Sequence, residues 1–107
     1  MTTTSVVNRQ VLEAMMESRG RVPRTVVALL RHFNVKRAEL AGALGVSTQS
    51  IYNKLSRPDV AVLRQEEVRG IAVFFGVPTD VLYMEPEMAI RWVIDHPETR
   101  PGYLKNR

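Results

Sequence analysis

The chain has 107 residues, 45 % of them hydrophobic, and a net charge of +4. That length and composition predict a single folded domain with a real core, and exclude a disordered chain. With no cysteine in the sequence, disulfides and thiolate metal sites are excluded. The N-terminal Met-Thr-Thr-Thr-Ser has no basic flank or apolar run, and no stretch approaches the ~18 apolar residues of a membrane span. The expectation is a soluble cytoplasmic protein.

In chain order, residues 6–18 predict a first helix, with Val7, Val11 and Met15 on one stripe and Leu12 and Met16 beside it. Gly20 and Pro23 predict a break. A second helix is expected over 23–33, with Pro23 in its first turn and Val26, Val27, Leu29, Leu30 and Phe33 apolar. Asn34-Val35 ends it. Two short helices follow, at about 36–44 and 47–56. Arg57-Pro58-Asp59 predicts another break, because proline disfavours helix in the residue before it.

Residues 63–75 then predict a helix with Val68, Ala72 and Phe75 inward, and with Arg64, Glu66, Glu67 and Arg69 on a solvated face. Gly76-Val77-Pro78 turns the chain into a short helix ending near Met84. Pro86 opens a last helix to about residue 95. Met88, Ala89, Ile90, Trp92, Val93 and Ile94 make it apolar almost all round, which predicts burial on more than one side, Trp92 included. The outer helices, 6–18 and 86–95, either pack together and extend a monomer's core or pair two subunits as a homodimer. Residues 96–107 read as a flexible basic tail.

The run from Arg37 to Ser56 is the most informative segment. Leu40, Ala41 and Leu44 give its first helix one apolar face, and Ile51 and Leu55 give the second another. Gly45 between them can take the positive φ of a sharp helix exit. Ser47 is placed to cap the second helix, since its hydroxyl can accept from an orphan N–H. Ala41 is small where two helices must approach closely. This is the build of a helix-turn-helix, whose second helix enters the DNA major groove. Thr48, Gln49, Tyr52 and Asn53 form one polar patch on that helix, because 48/52 and 49/53 are four apart. Gln49 or Asn53 can bond bidentately to adenine, and Thr48 or Tyr52 can touch a thymine methyl. A common helical hairpin with a polar outer face is the plainer reading of the same residues.

The distribution of charge agrees with a nucleic-acid partner. Residues 1–57 hold nine Lys or Arg against three Glu, net +6, whereas residues 58–107 hold six against eight acidic residues, net −2. The expected phosphate contacts are Lys36, Arg37, Ser47, Lys54, Arg57 and Arg24.

Leu40-Ala41, Leu44-Gly45-Val46-Ser47 and Ile51, followed downstream by residues 71–83, resemble the Xre/Cro-type helix-turn-helix family of phage Cro and repressor proteins. The resemblance covers about residues 24–84. It implies an all-α, compact, lambda-repressor-like domain, here with one extra helix at each end. It also implies a transcriptional regulator, a repressor acting by operator occlusion, with double-stranded DNA as partner. The family usually carries Gln at the start of the first motif helix, where Lys36 and Arg37 stand here.

Other chemistry is missing from the sequence. His32 and His96 lie far apart without an acidic or cysteine cluster, so zinc spacing is absent. There is no glycine-rich phosphate loop and no nucleophile signature. No enzyme, cofactor, metal or small-molecule substrate is expected. Two rivals keep the helices and change the role: an antitoxin-like module that binds a partner protein as well as DNA, and a helical protein-interaction domain without DNA binding.

Overall fold

The computed structural model describes residues 2–58 and 61–99. The protein is all-α, with six helices among the described residues: α1 (Thr2–Phe33), α2 (Arg37–Leu44), α3 (Thr48–Ser56), α4 (Gln65–Phe75), α5 (Thr79–Leu82) and α6 (Pro86–Asp95). The expected tail beyond residue 99, Asp59 of the expected break, and the side chains of Val7 and Met16 lie outside the described residues.

The two helices expected at 6–18 and 23–33 are one. Gly20 keeps a helical φ, and Pro23 sits inside the helix. An interior proline costs about 3 kcal/mol through a lost donor and a steric clash. Packing outweighs that cost. At 100° per residue, Val11, Met15, Val22, Val26 and Leu29 fall within about 60° of one another, so a single stripe runs through the proline. Its inner part is core: Val22, Val26 and Leu29 are buried. Its outer part is not covered, with Val11, Leu12 and Met15 about half exposed.

Leu29, Leu40, Ile51, Ile71, Phe75 and Leu82 bring every helix from α1 to α5 into one core, and Ala89 and Val93 add α6. Phe75 stacks on Phe33 at 5.7 Å between ring centroids and meets Phe74 edge-on at 5.2 Å. Gly70 lets α4 approach α2, because a Cβ there would stand 2.8 Å from Leu44 Cδ2. The α5–α6 turn is tied to α1 by the buried Thr25, whose hydroxyl donates to the Met84 carbonyl at 2.6 Å. Arg21 adds an ion pair to Glu85 at 3.2 Å.

Helix α6 is covered on one side only, contrary to its apolar sequence. Ala89 and Val93 face the core, while Met88 and Ile94 are both 61 % exposed. Trp92 is half-buried, not fully enclosed. It stacks on His96 at 3.9 Å, whose Nδ1 lies 2.7 Å from the Trp92 carbonyl.

Gly42 is an exposed interior residue of α2, and a Cβ there would touch nothing within 4 Å. Gly42→Ala should therefore stabilise the protein by about 0.5–1 kcal/mol. A thermal melt should show a Tm rise of a few degrees. A lower Tm would mean that the backbone at Gly42 serves a purpose that an alanine cannot meet.

Candidate nucleic-acid interface

The α2–turn–α3 unit is built by local chemistry. Gly45 takes the left-handed conformation (φ 72°), and its N–H turns back toward the carbonyls of Ala41 and Gly42. The Val46 N–H reaches the Ala41 carbonyl at 3.0 Å, which closes the helix end. Ser47 Oγ then accepts the Ser50 N–H at 3.1 Å and caps α3. Ala41 is only 1 % exposed at the crossing with α3, and Ile51 and Leu55 anchor α3 to the core.

That anchoring turns the opposite side of α3 outward. Thr48, Gln49 and Tyr52 are exposed, and Asn53 is half-buried beside them. Gln49 Nε2 donates to Asn53 Oδ1 at 3.1 Å. The two amides are thereby held together, leaving the Gln49 carbonyl oxygen and the Asn53 amide group for an external partner. One supplies an acceptor and the other donors, the combination that an adenine edge requires. The Arg37 guanidinium lies over the Tyr52 ring, 5.7 Å from its centroid, so α2 braces the aromatic residue of α3.

The expected phosphate contacts are placed unevenly. Lys36 and Arg37 start α2, and Arg57 is the exposed C-cap of α3. Arg31, which the motif did not single out, joins Lys36 and Arg37 on an open cleft of about 370 Å³ at the α1–α2 junction. Helical phase alone gives no sign of this, because it depends on how α1 hands over to α2. Arg24 stands apart: it belongs to α1 and its guanidinium folds over Gly20.

Lys54 is engaged within the fold: its ammonium meets both oxygens of Glu67 on α4, at 2.6 and 2.9 Å. Glu67 is a correction, since it is buried and not on the expected solvated face. It sits at the third position of α4, where Oε1 also accepts the Arg64 N–H at 2.8 Å. Burial alone pushes the Glu67 carboxyl upward. The Lys54 ammonium and the Arg64 N–H more than offset this, and it is held below its ordinary value of 4.5.

Among the described residues, no group of His, Cys, Asp and Glu could hold a metal ion, and no helix is long and apolar enough to cross a membrane. Compared with known proteins, the chain matches no family model, no curated protein and no solved structure.

Proposed function

We propose that this protein is a sequence-specific double-stranded DNA-binding regulator, a repressor that acts by covering an operator. The reading is carried by one observation: a capped helix-turn-helix whose outer face holds the bonded Gln49–Asn53 amide pair. Thr48, Gln49, Tyr52 and Asn53 read base edges. Lys36, Arg37, Ser47 and Arg57 hold phosphate, with Arg31 added from the shared cleft. The residues that resemble the Xre/Cro family support this reading, which needs no enzyme activity or cofactor and belongs in the cytoplasm of a bacterium or an infected host.

Gln49→Ala tests it. The variant should lose about 1–3 kcal/mol at the preferred site, the range for a good bidentate base contact. Binding to random duplex should barely change, because that part is electrostatic. Equal losses on both would place Gln49 on the backbone. Competitive titration with the two DNAs measures the difference.

The half-exposed Val11, Leu12 and Met15 favour a second role for the outer part of α1. Such a stripe serves a homodimer, or in the antitoxin-like version a partner protein, without altering the DNA face.

A further inference from the structure

The recognition helix carries a lysine that the fold does not leave to DNA. Lys54 Nζ is gripped by both Glu67 oxygens, and the two side chains are only 17 % and 10 % exposed. Glu67 is held in turn by the Arg64 N–H. For Lys54 to reach a phosphate, its ammonium would have to leave a carboxylate that is itself largely covered. That carboxylate would remain charged and short of a partner, which is a costly state. A lysine on such a helix would otherwise strengthen binding to every sequence alike, because phosphate contacts carry no base information.

We propose that Glu67 limits the protein's general affinity for DNA: by holding Lys54 it keeps one cation of α3 off the DNA backbone and so lowers affinity for every sequence alike. The inference rests on the DNA-binding reading. Glu67 works through Lys54 and is a positioning residue, not a contact. Because that contact would be equal for every sequence, withholding it weakens binding to preferred and random DNA by the same factor and leaves their ratio unchanged.

The test compares wild type, Lys54→Met, Glu67→Gln and the double variant on short random duplexes, from about 50 to 200 mM KCl. Lys54→Met should leave the slope of log K against log[salt] unchanged, because Lys54 is already engaged. Glu67→Gln should steepen it by about 0.9, one more counterion released, and over that salt range its affinity should vary about threefold more than that of wild type. The double variant should return to the wild-type slope. A merely structural ion pair would not move the slope in this pattern.

The inference is overturned if Lys54→Met flattens the slope by about 0.9, or if folded Glu67→Gln shows the wild-type slope. Far-UV circular dichroism at the assay temperature checks folding. Should Glu67→Gln unfold, Lys54→Met decides alone. A wild-type protein that binds no duplex defeats the DNA reading and this inference together, whereas wild-type binding with either overturning slope defeats only the inference.

Discussion

Phe75→Ala is expected to lower stability by about 3–5 kcal/mol, the range for deleting a buried aromatic side chain. Phe75 is fully buried, stacked on Phe33 and edge-on to Phe74, so its removal opens the junction of α1 and α4. A domain of this size has only about 5–15 kcal/mol in all. The variant should melt far below wild type, and urea titration should show a lower midpoint with a similar slope. A loss under 1 kcal/mol would mean that α1 and α4 do not meet around this ring.

Glu67→Ala is expected to cost about 3 kcal/mol at neutral pH, because it leaves Lys54 largely covered and unpaired. Its pH dependence follows from the lowered pKa of Glu67. The unfolded carboxyl titrates near 4.5, and the folded one at lower pH. Above the unfolded value both states are ionised, and the full contribution is present. As pH falls through the unfolded and then the folded value, the unfolded state takes up its proton first and the contribution is lost. Thermal melts of wild type and variant should therefore differ by a constant amount from neutral pH down to about pH 5.5, and the difference should close below 4.5. A gap that widens on acidification would contradict the Lys54–Glu67 pairing.

The parts of the fold readable in the sequence are those set by nearby residues. Gly45, Ser47 and the four-residue spacing of Ile51 and Leu55 act within one or two turns, and α2 and α3 form where those signals place them. The bounds of α6 were legible for the same reason, with Pro86 as its first residue. Features that depend on distant packing were not. Gly20 and Pro23 are poor helix residues by themselves, yet the core stripe of α1 carries the helix through both. The charges at Arg64, Glu66, Glu67 and Arg69 look alike in sequence. Only the approach of α4 to α3 separates Glu67, which meets a lysine 13 residues earlier. One local signal was available, since a glutamate three residues after an N-cap commonly turns back to the cap N–H. Helix α6 shows the converse: an apolar composition all round does not say which sides acquire a neighbour.

Selection of bound duplexes from a random pool, followed by titration of the enriched sequence against unselected DNA, tests the central claim most directly. The account predicts a defined consensus with adenine at the position read by Gln49 and Asn53. It also predicts affinity for the consensus at least about 10³-fold above random DNA at physiological salt. A palindromic consensus would accompany pairing through α1, and a single asymmetric site a monomer. Recovery of no consensus, or of sequences bound no better than the starting pool, would contradict the assignment of α3 as a helix that reads DNA.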